Sequence, residues 1–527
     1  MVTRMEQFPA IDAPATPGMA SCLISGVRLG VDAHTGAGAI AHGRRVDIRL
    51  AGGRIAAIAP AARRRPTGDT NMLDGRDLIV FPGFVNAHVH SNESFEQGAY
   101  DGVALEEWLV LAYPPLAGER AAPRLDYLRA MKIAMQSLRS GVAALHDDFL
   151  NPGCDPARLD AVLDGYAATG MRVAVACTFS DLAYLDGLAD GRALCPPALR
   201  NRLDAIRGPA VREQVRFYEA AVRRLRGRRS DRLSLTLGPR GPQRCSVNLL
   251  RLVGEMSAHS AAPVHMHVLE TRAQWLAGRR LHGRSLVAVL EEAGLLSVRL
   301  TMNHAIWIDA EDIARMGAHG VSTTHNPMSN LKLSSGLAPV KRLLAAGICV
   351  ALGSDGPATG DSADFLQSLR FAALMHKLDV DNPAEAPGAD ALLHMATAAG
   401  VRSMGGGASA GRLALGQLAD LSFLDARNLA FVPLNHAPRQ LVYAAGSDAV
   451  AGVMAGGEML FWEGRFARFD AAAVDAEIRE AAARFRRDVL GKRRAANREL
   501  RPFLRRVIAN ARRETADCPT LNRVALD

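Results

Sequence analysis

The chain lacks the features of a secreted, disulfide-stabilised protein. It has seven cysteines, an odd number, and no two of them are spaced as CxxC. We therefore expect neither a disulfide framework nor a cysteine zinc site, and a reducing cytoplasm fits best. Residues 1–20 are rich in proline and alanine and lack the basic start and apolar core of a signal peptide. We predict a short disordered lead there.

Long apolar runs are also missing. No uninterrupted stretch approaches the ~20 apolar residues that a membrane-spanning helix needs, so no membrane partner is expected. Hydrophobic residues make up 49% of the chain and charged residues 22%, which is ordinary for a globular protein. The 527 residues suffice for one large domain and a smaller one.

Acidic residues are scarce near the C-terminus. The segment 479–513 contains three of them among many arginines, and it supplies much of the net charge of +9. Nucleic-acid binding is not expected, because only Phe485 and Phe503 are interleaved with the basic residues. We interpret residues 467–527 as a basic helical extension that docks on the rest of the chain or on a partner subunit of a homo-oligomer.

Two strand-rich flanks enclose a middle region in which predicted strands alternate with predicted helices. Residues 21–80 and 401–466 read as short strands separated by glycine turns, which predicts a small β-sandwich built from both flanks. Between them, residues 81–400 alternate short apolar strands with longer helical stretches. Eight such units predict an α/β fold with a (β/α)8 barrel of the TIM type. The long segment 180–209 is expected to form part of a substrate lid.

Metal-ligand residue types occur where the predicted barrel strands end. His88 and His90 close an apolar run, and residues two apart on a strand share one face. His267, His304 and Asp355 follow further apolar runs. Because barrel active sites lie at the carboxyl ends of the strands, these side chains are expected to meet there. The pattern predicts a metal-dependent hydrolase.

This ordered set resembles the amidohydrolase superfamily. The closest resemblance is to its deaminase-like branch, which includes cytosine, guanine and adenosylhomocysteine deaminases and the s-triazine hydrolases. The resemblance covers roughly residues 21–466, and one His-x-His pair alone would be weak support. The motifs that carry it are FPGFVNAHVH at 81–90, GPRGPQRCS at 238–246, HMHVLET at 265–271, HNPMSNLKL at 325–333 and GSDG at 353–356.

The resemblance implies a role for each of these residues. It implies that His88, His90, His267 and Asp355 bind the metal, which would supply an activated water. Asp355 would also act as general base, and Glu270 would shuttle the proton to a ring nitrogen or leaving amine. His304 would orient the water and polarise the developing tetrahedral centre.

The number of metal ions follows from strand 4 of the predicted barrel. Binuclear members of the superfamily commonly carry a carboxylated lysine there, whereas this chain has LSLTLG at 233–238. We therefore expect one divalent ion per chain. Zinc is the first choice, and iron(II) accepts the same ligands.

Substrate contacts are harder to assign. Arg240, His325, Trp108 and His146 are predicted to contact the substrate. The alternatives are packing of its loop for His325, core packing for Trp108 and support of other site residues for His146. Adenosine-type deaminases carry a ribose-binding glutamate where this chain has Ala117, and a histidine where it has Arg240. These departures argue against adenosine or adenosylhomocysteine as substrate and favour an anionic or carbonyl-rich ligand.

The predicted function is therefore hydrolysis of a small molecule. We expect an aminohydrolase, a deaminase, that acts on a carbon–nitrogen bond of a small nitrogen-heterocyclic substrate by means of a metal-activated water. The alternative is hydrolysis of a cyclic amide, an imidazolone or another non-amine leaving group on the same metal framework. A barrel without catalysis is disfavoured because all six residues of the predicted site are present. A nucleic-acid-binding protein is disfavoured because few aromatic residues are interleaved with the basic ones near the C-terminus.

Overall fold

The computed structural model describes residues 21–36, 38–62, 71–113, 122–206, 208–228, 230–378, 380–496 and 498–516. The predicted disordered lead, residues 1–20, and Ala117 lie outside these ranges. The strands are β1 Cys22–Leu29, β2 Ala33–Thr35, β3 Gly38–Ile40, β4 Arg45–Ala51, β5 Arg54–Pro60, β6 Met72–Asp74, β7 Leu78–Pro82, β8 Phe84–Val89, β9 Val142–Asp147, β10 Arg172–Phe179, β11 Leu233–Pro239, β12 Val264–Val268, β13 Leu300–His304, β14 Ser322–His325, β15 Cys349–Leu352, β16 Leu421–Asp425, β17 Val450–Ala455, β18 Glu458–Trp462 and β19 Arg465–Phe466.

Helices separate most of the strands in the middle of the chain. The α-helices are α1 Leu105–Ala112, α2 Pro123–Arg139, α3 Pro156–Thr169, α4 Gly191–Leu194, α5 Pro197–Asp204, α6 Val211–Gly227, α7 Val247–Ser260, α8 Arg272–His282, α9 Leu286–Glu292, α10 Ala310–Ala318, α11 Pro327–Lys332, α12 Val340–Ala345, α13 Phe365–Met375, α14 Ala389–Met395, α15 Ala398–Ser403, α16 Ala437–Tyr443, α17 Ala471–Phe485, α18 Gly491–Ala496 and α19 Leu500–Glu514. Short 3-10 turns cover Ser91–Glu93, Tyr184–Gly187, Pro242–Arg244, Pro383–Glu385, Leu429–Phe431 and Ser447–Ala449, and Arg486–Leu490 is a π-helical turn.

The strands β8 to β15 form a parallel sheet in the order of the chain, as a barrel requires. Each strand is almost entirely buried, because helices cover the outside and side chains fill the inside. The seam between the last and first strands is closed at the top by Asn86, whose amide donates to Ser354 Oγ at 2.7 Å and accepts from Ser354 N at 2.9 Å. The predicted TIM-type barrel is confirmed.

The two flanks build a second sheet. Its order is β19-β18-β17-β16-β7-β1-β4-β5, with β6 beside β1. The flanks join where β16 pairs antiparallel with β7. The second sheet buries a separate apolar cluster that includes Ile24, Ile48 and Phe423. The division into domains at residues 80, 400 and 466 remains a prediction.

The C-terminal extension packs beside the top of the barrel. Its last helix, α19, presents a buried stripe of Leu500, Phe503, Leu504 and Val507 at helical spacing. This stripe joins one apolar cluster with residues of α1 and of the segment 184–203. In the described part of the chain, no helix has the length and apolar character needed to cross a membrane.

Charged groups add to this docking. Arg493 of α18 is 7% exposed, and its Nη1 lies 2.8 Å from both Glu96 Oε1 and the carbonyl of Ala112. Arg501 and Arg505 of α19 donate to Glu107 at 3.2 and 2.9 Å. The extension therefore supports α1 from outside.

A chain that ends at Arg498, and so lacks α19, is expected to be less stable. Each buried side chain of the stripe contributes roughly 1.5–3 kcal/mol, so Tm should fall by about 5–10 °C, while the metal content stays unchanged. Thermal unfolding and elemental analysis measure both. The control is a chain that ends at Ala516, which keeps α19. An unchanged Tm in the shorter chain would show that α19 is not a stabilising element.

Candidate active site

Three histidines converge at the top of the barrel. His88 and His90 lie at the end of β8, and His267 lies in β12. Their ring centroids are 4.7 Å apart for His88 and His90, 4.9 Å for His88 and His267, and 5.3 Å for His90 and His267. The strand periodicity brings the first two together, and the curvature of the barrel brings the third to them.

Asp355 completes this group from the opposite end of the sheet. Its Oδ1 lies 3.5 Å from His88 Nε2 and 3.3 Å from His90 Nε2. Its backbone is left-handed, with φ of 60°, and its N–H donates to the carbonyl of His88 at 3.0 Å. A non-glycine residue in this conformation is uncommon and marks a position held by its surroundings. The neighbouring imidazoles hold the pKa of Asp355 well below its ordinary value, although burial acts in the opposite direction.

The donor atoms fit a divalent metal ion. Both ring nitrogens of His88 are buried and have no hydrogen-bond partner among the described residues. Burial lowers the pKa of His88 to about 3, so the imidazole is neutral, which is the form that binds metal. The Nδ1 of His90 donates to the carbonyl of Asp148 at 2.8 Å, which leaves its Nε2 free to coordinate. Imidazole nitrogens together with a carboxylate suit zinc and other borderline divalent ions.

Glu270 and His304 lie beside this group. His304 Nε2 is 3.8 Å from Glu270 Oε2 and 3.9 Å from Asp355 Oδ2. The Nδ1 of His304 donates to Asn330 Oδ1 at 2.9 Å, which turns Nε2 toward the two carboxylates. Burial raises the pKa of Glu270 well above its ordinary value, and the charge of Asp355 adds to the effect. Glu270 is therefore placed to hold a proton near Asp355.

A cavity of about 120 Å³ opens onto these groups. His90, His267, Glu270, His304 and Asp355 contribute to its lining. Two of the predicted substrate contacts, Trp108 and Arg240, also line it. The predicted lid contributes through Gly187 and Leu188.

The other two predicted substrate contacts lie elsewhere. His325 is buried below, with its Nε2 3.1 Å from His376 Nε2. His146 stacks on His265, with ring centroids 3.6 Å apart, and its Nε2 lies 2.9 Å from Thr236 Oγ1. Neither belongs to the described lining of the cavity. His146 packs inside the barrel, below the metal-ligand group, whereas His325 contacts the end of helix α13, because Thr324 and not His325 faces the barrel interior.

The structure adds Asp148 to the site. Its Oδ2 is 3.3 Å from His267 Nδ1, and its oxygen lies in one compact group of ligand atoms with His88, His90 and His267. The preceding residue, Asp147, points away and accepts from Tyr166 at 2.8 Å. The sequence does contain a signal for Asp148. Side chains alternate along a strand, so Asp148, two positions beyond His146, lies on the same face one layer higher.

Two buried glutamates, Glu93 and Glu106, also reach the cavity. Burial raises the pKa of Glu93 to about 8, and its Oε1 accepts from Tyr113 at 2.7 Å. A side chain at Gly356 would collide with this carboxylate, so the glycine leaves room for Glu93 in its observed position. Glu106 accepts from Thr271 at 2.6 Å, and burial raises its pKa. Glu93 follows the histidine pair closely, but nothing in the sequence connects Glu106 of α1 with Thr271.

These features define a class of protein: a hydrolase on a TIM-type barrel, with a histidine and carboxylate metal centre at the carboxyl ends of the strands. Residues 79–460 match the amidohydrolase family. The chain belongs to the amidohydrolase family and is a metal-dependent hydrolase that acts on carbon–nitrogen bonds.

Curated relatives cover most of the chain. It is 30% identical to a 5-methylthioadenosine/S-adenosylhomocysteine deaminase of Syntrophomonas wolfei over 431 residues, which are 81% of this chain and 91% of the relative. It is also 30% identical to a 5'-deoxyadenosine deaminase of Methanosarcina mazei, over 80% of this chain and 89% of the relative. The predicted membership of the deaminase-like branch is confirmed.

Solved structures share the fold. An adenosine deaminase of Xanthomonas campestris with bound zinc superposes with a TM-score of 0.74 and 25% identity, over 88% of this chain and 98% of that protein. An atrazine chlorohydrolase of Arthrobacter aurescens in complex with zinc gives a TM-score of 0.75 at 23% identity, over 88% of this chain and 100% of that protein. The second likeness shows the fold alone.

Proposed function

We propose that the protein is a mononuclear, zinc-dependent deaminase of a small nitrogen-heterocyclic substrate. The observation that carries the proposal is the convergence of His88, His90 and His267 with Asp355. Glu270 and His304 lie beside this group, and all of these residues except His88 line one cavity. The names of the curated relatives, which are deaminases, support the reaction type.

The metal would be held by His88, His90, His267 and Asp355. When bound, a divalent ion there supplies a water of lowered pKa. Zinc is the proposed ion because the nitrogen-rich donor set suits it and because the Xanthomonas campestris relative contains zinc. One ion is proposed because β11, Leu233–Pro239, contains no lysine.

The remaining side chains would move protons. Asp355 takes the proton from the attacking water, and its low pKa fits a group that begins the reaction as a carboxylate. Glu270 gives its proton to the ring nitrogen, receives the water proton from Asp355 and passes it to the leaving amine, and the remaining hydroxyl proton then returns to Glu270. The raised pKa of Glu270 fits a proton donor. His304 orients the water and stabilises the developing oxyanion through Nε2. The carbon–nitrogen bond breaks, ammonia leaves, and the ring keeps the oxygen.

The position of Glu270 is held by its own segment. Its backbone N–H donates to Gln274 Oε1 at 2.9 Å, which ties the end of β12 to the first turn of α8. The residue is 3% exposed, so bulk water does not compete for its proton. These contacts keep the carboxyl between His304 and the cavity.

We also propose that the protein works in the cytoplasm as a homo-oligomer. The cysteines in the described residues are free thiols, which suits a reducing compartment. Exposed large apolar side chains such as Phe371, Leu374 and Leu378 lie close together at one end of α13 and would suit a subunit contact.

Metal-loaded protein is expected to release ammonia from at least one amino-substituted heterocycle. A panel of aminopurines, aminopyrimidines, pterins, aminotriazines and adenosine derivatives tests this, with ammonia measured enzymatically and the product identified by mass. Chelated protein is the control and should be inactive. Release of a different leaving group, or opening of a cyclic amide without free ammonia, would replace deamination by the alternative hydrolysis.

A further inference from the structure

Two arginines lie where two cavities meet. The cavity beside the metal-ligand group shares part of its lining with a larger, outer cavity of about 720 Å³. Arg240 and Arg244 line both of them. A ligand whose ring occupies the inner cavity would therefore place one of its substituents beside these two guanidinium groups.

Both arginines are held in place by the surrounding backbone. Arg240 directly follows β11, and its N–H donates to the carbonyl of Phe179 at 3.0 Å. The guanidinium of Arg244 lies over the ring of Tyr184, 4.8 Å from its centroid, and Nη1 donates to the carbonyl of Tyr184 at 3.0 Å. The guanidinium of Arg244 is therefore fixed against Tyr184, and the backbone of Arg240 is fixed at the end of β11.

No carboxylate in the described residues lies within 4.0 Å of either guanidinium. The other arginines of the outer cavity differ, because each has a carboxylate partner. Arg158 lies 2.6 Å from Asp126, and Arg493 lies 2.8 Å from Glu96. Burial and the adjacent charge of Arg244 lower the pKa of Arg240 to about 10, which still leaves it charged at neutral pH. Asp148 and Glu106 interact with the two guanidinium groups only over longer distances, so neither positive charge is neutralised in a direct ion pair, and the two together can bind an anion.

We propose that this pair binds a carboxylate carried on the ring of the substrate. The proposal rests on the deaminase function and names the class of its substrate, an anionic nitrogen heterocycle. A planar carboxylate matches the guanidinium fork, and charge-assisted hydrogen bonds are stronger in a partly buried site than in water. Adenosine-type deaminases have a histidine where this chain has Arg240. A preference for carboxylate-bearing substrates would therefore distinguish this chain from those enzymes.

A matched pair of ligands tests the proposal. Pyrimidine-4-carboxylate and pyrimidine-4-carboxamide are titrated into metal-loaded protein by isothermal calorimetry. The carboxylate should bind at least ~10-fold more tightly, since a hydrogen bond to a charged group contributes that much, and the difference should shrink at high salt. Arg240→Gln and Arg244→Gln should each remove most of the preference. Arg158→Gln is the control and should keep it.

Two outcomes would overturn the proposal. One is that the wild-type protein makes no distinction between the two ligands, including the case in which neither binds. The other is that both arginine variants, with wild-type metal content and far-UV circular dichroism, keep the full preference, which would place the carboxylate on the metal. No turnover is needed, so the result is separate from the ammonia-release assay that tests deamination.

Discussion

Replacing Glu270 by glutamine is expected to lower kcat on the order of 10²-fold or more, without loss of metal. The amide keeps the size of the side chain but cannot deliver a proton to the ring nitrogen or to the leaving amine. In the wild-type chain, Glu270 Oε2 lies 3.8 Å from His304 Nε2, and Glu270 is not among the proposed metal ligands. Ammonia release under saturating substrate and elemental analysis of the same preparation measure the two quantities.

The control for this variant is Glu255→Gln. Glu255 is exposed on α7, outside the cavity, and the same chemical change there should leave kcat unaffected. If Glu270→Gln retains both metal and near-normal kcat, Glu270 has no part in proton transfer. If it loses metal instead, Glu270 helps to hold the ion, and the ligand set must be extended.

Replacing His88 by alanine is expected to remove both metal and activity. The wild-type chain should contain about one equivalent of metal when purified without added metal. His88 is the central imidazole of the group, 4.7 Å from His90 and 4.9 Å from His267 between ring centroids. Its loss should weaken metal binding by more than ~10²-fold, since changes to residues that merely support ligands already cost 10–100-fold.

His259→Ala is the matched control, because His259 is exposed on α7. It should retain one equivalent of metal and full activity. Two tightly held ions in the wild-type chain would contradict the mononuclear proposal and would point to Asp148 as a ligand of the second ion. Full metal occupancy in His88→Ala would remove His88 from the ligand set.

The barrel and its ends could be predicted closely from the sequence. The barrel strands β8, β12 and β13 end at Val89, Val268 and His304, each within one residue of a histidine that the sequence placed at a strand end. Buried parallel strands are short apolar runs separated by helices, and both signals are local. All the barrel strands run in the same direction, so residues at their carboxyl ends lie at the same end of the barrel. Their proximity can therefore be predicted without knowing how the side chains pack.

The comparison of His146 with Asp148 shows what could not be predicted from the sequence. Both lie near the end of β9 on one face, and the sequence favoured the histidine as a substrate contact. Only the depth of the strand in the barrel shows that His146 stacks on His265, whereas Asp148 reaches His267. A shift of two residues along a strand is about 6–7 Å, more than the radius of the metal site.

The sequence by itself determined the fold class and the reaction class of this protein and selected the candidate metal ligands, because these depend on strand periodicity and on motifs within single segments. Tertiary structure alone decided which side chains form the walls of the cavity. Glu106 reaches it from α1, Arg240 and Arg244 remain without carboxylate partners among the described residues, and α19 supports α1 from outside. These contacts join segments that are far apart in the chain, so no local pattern encodes them; they arise when the barrel closes and its loops pack together.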